Sequence, residues 1–377
     1  MKVVLAPDSF KGSLSAIEVV EAMKKGITSI DPAAVICEAP MADGGEGITD
    51  NIVQLFNGRT EYLEVTGPAG KPTKAKYGVF RENICVIEVA ETSGITLLTE
   101  DELNPLKTTT FGLGELIKAA LDKGYRSFII GLGGSATNDG GAGMAAALGY
   151  RLLDKDGNDI AYGGGALSEL VRIDAKNADT RIAESEFVIA CDVKNPICGE
   201  NGASRIFGPQ KGADEATVKV LDDNLKNFAG VIRDCLGKDI AEVPGSGAAG
   251  GLGGGAIAFL NGRLAEGITI MTELSELDQK IKTADLVLTG EGKCDGQTLN
   301  GKTPYGVARI AQKYDVPVVM LAGIVGKGAE ALYQNGVSDI YCIKPDDVTV
   351  EYSLKHADKL VEAASAKAYS EFIQQKK

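Results

Sequence analysis

Val3-Val4-Leu5-Ala6-Pro7-Asp8-Ser9-Phe10-Lys11-Gly12-Ser13 stands at the start of the chain, and the fold is read outward from it. Four apolar residues make a short strand. Pro7 ends it, and a polar turn carrying Asp8 and Lys11 follows. Ile17, Val20, Met23 and Ile27 then recur at helical spacing, with Ser15 placed to cap the helix. The same order returns at once. Residues 34–39 read as a strand, Met41-Ala42-Asp43-Gly44-Gly45-Glu46-Gly47 as a polar loop, and 48–56 as a helix. Strand, polar loop and helix in repetition are the rhythm of a parallel, doubly wound sheet.

That rhythm breaks between residues 61 and 89. Alternating side chains there are punctuated by Gly67-Pro68-Ala69-Gly70, Lys71-Pro72 and Glu82-Asn83, which predicts antiparallel hairpins. The middle of the chain then predicts a helix over 113–121 and a strand over 127–131. A glycine-rich loop leads to a helix over 143–152, followed by a strand over 187–191 and a long helix over 218–236. From residue 272 the opening rhythm resumes, with helices over 274–282, 305–314 and 329–334 between strands over 285–289, 316–321 and 339–343. A helix over 352–373 closes the chain. The expected architecture is therefore α/β. Residues 1–58 and 266–377 form a discontinuous Rossmann-like (flavodoxin-like) parallel-sheet domain. Residues 59–265 form an inserted second α/β domain with mixed and antiparallel strands. Ligands of open α/β sheets gather at the carboxyl ends of strands and between domains, so the active site is expected in the interdomain cleft.

Composition narrows the function. A chain of 377 residues suits two α/β domains. The net charge of −13, with no basic run, speaks against nucleic acid or an anionic membrane as partner. The seven cysteines contain no C-x-x-C pair and read as free thiols of a reducing, cytoplasmic compartment. No apolar stretch suits a secretory signal or a membrane span. One histidine, His356 in the polar C-terminal segment, and no tryptophan remove histidine-based triads and His-rich zinc sites. Acid–base work falls to Asp, Glu, Lys or water.

The clearest anion signal is Gly131-Leu132-Gly133-Gly134-Ser135-Ala136-Thr137-Asn138-Asp139-Gly140-Gly141-Ala142-Gly143, between an apolar strand and an apolar helix. Free backbone N–H groups at a helix start bind anions, and glycine lets an anion touch the backbone. Ser135, Thr137 and Asn138 add side-chain donors. A second tract, Pro244 to Ala256, carries Gly247 and Gly250, with a flexible glycine-rich connector or close helix packing as its competing explanation. Gly296-Gln297-Thr298-Leu299-Asn300-Gly301-Lys302-Thr303 satisfies the P-loop pattern formally. Six residues separate it from its strand, however, and Pro304 follows directly, as suits a first helical turn. Carboxylates at strand ends (Asp8, Asp43, Asp139, Asp192, Glu291, Asp295) and cations beside them (Lys11, Lys194, Arg205, Lys211, Lys293, Lys302) complete a set suited to phosphoryl transfer, with caps and solvated turns as the alternative for any one of them.

Taken together, these segments resemble the bacterial glycerate kinase family, which is unrelated to the P-loop and GHMP kinases. The resemblance rests on seven ordered motifs: residues 6–13, 40–47, 133–141, Cys191-Asp192-Val193-x-Asn195-Pro196, Phe207-Gly208-Pro209-Gln210-Lys211-Gly212-Ala213, residues 244–251, and Thr289-Gly290-Glu291-Gly292-x-x-Asp295-x-Gln297-Thr298-x-x-Gly301-Lys302. It implies ATP-dependent phosphorylation of D-glycerate to 2-phosphoglycerate with Mg²⁺. On that reading Gly133, Gly134, Ser135, Thr137, Asn138, Asp139, Gly247, Gly250 and Glu291 serve ATP. Asp8, Lys11, Arg205 and Lys211 serve the substrate, the three cations being candidates for its carboxylate. Asp192, or alternatively Asp295, holds Mg²⁺, while Asp43 or Asp295 takes the hydroxyl proton and Lys293 stabilises the moving phosphoryl group. The partner is the small molecule alone, and a homodimer is compatible with the reading. Rival readings are a GHMP-like or sugar-acid kinase, a non-catalytic anion-binding protein, and a flavin or nicotinamide oxidoreductase. The last is weakened by the missing Gly-x-Gly-x-x-Gly after the first strand.

Overall fold

The computed structural model describes residues 1–42, 47–299 and 302–376. In chain order the strands are β1 (Lys2–Leu5), β2 (Val35–Glu38), β3 (Arg59–Thr66), β4 (Pro72–Phe80), β5 (Ile84–Glu88), β6 (Ser127–Gly131), β7 (Arg151–Leu153), β8 (Arg172–Asp174), β9 (Glu186–Ala190), β10 (Arg263–Ala265), β11 (Leu286–Cys294), β12 (Val318–Val325) and β13 (Asp339–Cys342). Contacts divide the chain into two compact units, Met1–Asp43 with Gly267–Lys377, and Gly44–Glu266. The first junction thus falls after residue 43 and not at 58. The helix Ile48–Leu55, read from sequence as part of the opening domain, packs on β4 and β5.

The first unit is a five-stranded sheet in the order β2-β1-β11-β12-β13, every pair parallel. Val3, Val4 and Leu5 of β1 are fully buried, as a central parallel strand requires. The helix Ala16–Ile30 is started by a capping box in which Ser15 and Glu18 satisfy each other's backbone N–H groups. Its apolar face (Val19, Val20, Met23, Ile27) joins Leu288, Leu321 and Tyr369 in the core. Gly26 lets this helix lie against the helix Ala357–Gln375, because a Cβ there would stand 2.2 Å from the carbonyl oxygen of Glu362. Since β2 and β11 flank β1 on opposite sides, the winding reverses between β1 and β11. A crevice opens at the carboxyl ends of strands at such a reversal.

The second unit is a six-stranded sheet in the order β10-β9-β6-β5-β4-β3. β5, β6, β9 and β10 run parallel, while β3 and β4 are the expected antiparallel strands, turned at Gly67–Lys71. β7 and β8 form a separate antiparallel pair. Phe128 and Phe187 stack across β6 and β9 with ring centroids 4.7 Å apart. The helices Phe111–Asp122, Ala142–Ala147, Glu215–Leu236 and Ala248–Leu260 cover the sheet.

Several elements differ from the sequence expectation for identifiable reasons. The strand expected over 285–289 continues to Cys294, so Glu291 and Lys293 lie on a strand. Gly290 and Gly292 do not stop it. A Cβ on Gly290 would meet the Leu321 carbonyl oxygen at 2.6 Å, so glycine there permits the close approach of β12. The helix expected over 143–152 ends at Ala147, and Gly149, with φ +93°, turns the chain into β7. The helix expected over 274–282 is two helices, Gly267–Leu274 and Leu277–Ile281, with Glu276 in the left-handed region at their junction. Residues 329–335 form a 3₁₀ turn. The C-terminal helix is broken at His356, whose ring packs against Tyr352. We expect Gly26→Ala to destabilise the protein by about 1–3 kcal/mol through overpacking against the Glu362 backbone, measured as a lower midpoint of thermal unfolding.

Candidate active site

In the second unit the loops after β6 and β9 frame a pocket of ≈ 220 Å³. Gly133, Gly134 and Ser135 line it from one loop and Cys191, Asp192 and Val193 from the other. Phe207, Gln210 and Lys211 close a third side, and Ala248 and Ala249 a fourth. Its place at the carboxyl ends of parallel strands is where ligands of such sheets bind. Burial raises the Cys191 thiol above its usual range, so it is a packed thiol and not an activated nucleophile. All seven cysteines are free thiols.

The loop after β6 is shaped by one buried carboxylate. Asp139 accepts hydrogen bonds from Thr110 N (2.9 Å), Thr110 Oγ1 (2.9 Å), Gly141 N (3.1 Å) and Gly143 N (3.2 Å). Burial pushes the Asp139 carboxyl up, and these donors oppose that shift. Read from sequence as a nucleotide contact, Asp139 is engaged inside the protein and holds the loop instead. Asn138 is also buried and donates through Nδ2 to Ser204 Oγ.

The glycine tract after Pro244 packs on this loop. Gly140 N donates to Gly250 O, and a Cβ on Gly250 would fall 2.0 Å from the Thr137 carbonyl oxygen. Ala249, Gly250 and Gly251 take three left-handed conformations in succession, which interrupts the helix Ala248–Leu260 at its start. Gly247 and Gly250 are therefore accounted for by close backbone packing, and Ala248 and Ala249 carry this tract to the pocket.

Lys211 is 1% exposed. Its amine donates to Ser135 Oγ (2.9 Å) and to the Thr137 carbonyl (2.7 Å). Desolvation pushes it down to about 7, against the attraction of Asp139. Arg205, assigned with Lys211 to the substrate, lies instead beside Asp222 (3.8 Å) and does not line the pocket.

The first unit carries a second constellation, at the reversal between β1 and β11. Asp8 accepts from Ser9 N and from Thr303 Oγ1 (2.8 Å), and its own N–H donates to Gly290 O. Glu291 accepts from Thr298 Oγ1 at 2.6 Å, with Lys302 Nζ at 3.7 Å. Burial raises the Glu291 carboxyl, Thr298 and Lys302 lower it, and the charges of Asp8 and Asp295 add to the rise. Lys293 pairs with Asp295 at 2.9 Å and holds it below the usual carboxylate range. Lys11 lines a small cleft nearby with Phe10, Gly292 and Lys344. The formal P-loop match is not a phosphate loop over its described part: residues 296–299 make a 3₁₀ turn, and Thr303 and Pro304 open the next helix after Lys302 as N-cap. Thr298 and Thr303, which orient the two carboxylates, were not singled out from sequence. Their signal was membership of the Gly296–Thr303 motif and, for Thr298, of the Thr289–Lys302 motif as well. Asp43, Asn300 and Gly301 lie outside the described residues.

No group of three or more His, Cys, Asp or Glu side chains that could hold a metal occurs among the described residues. No helix among them is long and apolar enough to cross a membrane. The state of Lys211 makes stability depend on pH. Below about pH 7 both folded and unfolded chains carry its proton, and burying the charge weighs on the folded state. Between about 7 and the ordinary lysine value of 10.5 only the unfolded chain keeps the proton, so the ligand-free protein gains stability as pH rises through that window. Urea denaturation across it should show this gain, and Lys211→Met should remove that part of the slope.

The glycerate kinase family model matches residues 3–372. A glycerate kinase of Bacillus subtilis (strain 168) is 47% identical over 96% of this chain and 95% of its own length. The glycerate 2-kinase of Escherichia coli (strain K12) is 45% identical over 95% and 94%. A crystal structure of a candidate glycerate kinase 2 from Salmonella typhimurium LT2 superposes with a TM-score of 0.88 at 43% identity, covering 100% of this chain and 99% of that one. With nearly its whole length matched in sequence and in fold, the chain belongs to the glycerate kinase family.

Proposed function

We propose that this protein is a cytoplasmic, ATP-dependent glycerate 2-kinase, converting D-glycerate and ATP to 2-phosphoglycerate and ADP. The observation that carries the reading is the pocket at the ends of β6 and β9, where a glycine loop, a buried lysine and Asp192 meet in a member of this family. The name of the Escherichia coli relative supports the 2-position.

In this reading Gly133, Gly134 and Ser135 offer donors to the polyphosphate of ATP. Asp192 would hold Mg²⁺, with Asp295 the alternative ligand. The donor set fits, since Mg²⁺ in kinases takes one or two carboxylates and completes its shell with phosphate oxygens and water. When bound, the ion neutralises charge on the phosphate oxygens. From the first unit, Lys11 binds the glycerate carboxylate and Asp8, fixed by Thr303, accepts a hydrogen bond from a glycerate hydroxyl. Asp295 takes the proton of the attacking 2-hydroxyl as its oxygen bonds to the γ-phosphorus and the bond to ADP breaks. Asp43 is the alternative base. Lys293 balances charge on the phosphoryl group in transit.

Phosphorus NMR of the product of ATP and D-glycerate tests the reading directly. A 2-phosphoester supports it, a 3-phosphoester overturns the regiochemistry, and ATP turnover only with larger sugar acids overturns the substrate. Asp192→Asn and Asp295→Asn should each lower kcat roughly a hundredfold or more. Near-normal turnover in both variants would remove these residues from the mechanism.

A further inference from the structure

Two features of Lys211 point at one group of the ligand. The Lys211 amine is almost fully buried, yet it lines the pocket. A protonated amine has three N–H donors, and two of these go to Ser135 Oγ and the Thr137 carbonyl, both in the loop after β6. That leaves one for an anion.

We propose that Lys211 grips a phosphate group of the nucleotide, not the carboxylate of glycerate. The proposal rests on the kinase reading and deepens it. Charge decides between the two ligands. A buried ammonium needs a strong counter-charge, and a nucleotide phosphate brings more than the single charge of a carboxylate. Position agrees, since both protein partners of the amine belong to the glycine loop, which lines the pocket with Gly133, Gly134 and Ser135. Other titratable groups act on the amine weakly or are already engaged. Asp139 attracts it but is held by four donors, and Asp192 and Cys191 are the remaining titratable residues of the lining. With the amine pushed down to about 7 in the empty pocket, an arriving phosphate draws a proton onto it. Nucleotide binding above that pH is therefore accompanied by proton uptake.

Isothermal titration at about pH 8.5, in two buffers of different ionisation enthalpy, measures affinity and proton uptake together. The ligands are Mg·ADP, D-glycerate and 2-phosphoglycerate. Wild-type protein should take up a proton with Mg·ADP and none with D-glycerate. Lys211→Met should weaken Mg·ADP roughly tenfold or more, the scale of a lost charged hydrogen bond, abolish the uptake and leave D-glycerate unchanged. Lys211→Arg, which keeps its charge at any such pH, should bind Mg·ADP without uptake. Thermal unfolding checks that the variants fold, and where Lys211→Met does not, uptake persisting in Lys211→Arg overturns the proposal. So does weakened D-glycerate or 2-phosphoglycerate with intact Mg·ADP binding in Lys211→Met. Failure of the kinase reading is separate, since it appears as absent phosphoglycerate in the wild-type NMR assay.

Discussion

The buried carboxylate of Asp139 and the four donors around it form the interaction on which the second unit's pocket depends. Thr110, at the start of the helix Phe111–Asp122, supplies two of those donors, and the Gly141 and Gly143 amides supply the others. One side chain thus ties the loop after β6 to a neighbouring helix and sets the start of the helix Ala142–Ala147. The Thr137 carbonyl is thereby positioned for Lys211, and the glycine tract 247–251 packs against the same backbone. Removing either partner of such a buried, hydrogen-bonded group leaves the other unsatisfied in a low-dielectric interior.

The first unit shows the same economy in a different form. A parallel sheet whose winding reverses between β1 and β11 puts Asp8, just past β1, near Glu291 on β11. Two threonines, from the turn 296–299 and from the next helix, then orient one carboxylate each. The raised Glu291 and lowered Asp295 carboxyls lie four residues apart, and their surroundings separate them. Glu291 is buried beside a hydroxyl, whereas Asp295 has a lysine 2.9 Å away. Divergent proton affinity among neighbouring carboxylates is a recurrent property of sites that move protons.

Much of this was legible because it is local. Ser15 as a cap, the turn at Gly67–Lys71 and the glycine loop after residue 131 follow from short-range geometry that a few residues specify. The errors share a cause as well. Gly290 and Gly292 look like strand breakers until the closeness of β12 to the first and of the Phe10–Lys11 backbone to the second is known, and Gly250 looks like a phosphate contact until Thr137 is found against it. Glycine in sequence reports that something comes near, and only the packed chain identifies it as ligand or backbone.

The amino-acid sequence by itself determined the α/β class, the return of the chain to its first sheet, the loops that carry chemistry and the family they resemble. Periodicity, caps and motif order are properties of short segments, and they survive without knowledge of the fold. Tertiary structure alone decided that Asp139 faces inward, that Arg205 sits with Asp222, and that Lys211 is sealed against Ser135 and Thr137. Each depends on burial and on partners from up to 76 positions away, and so on which surfaces the folded chain hides from water.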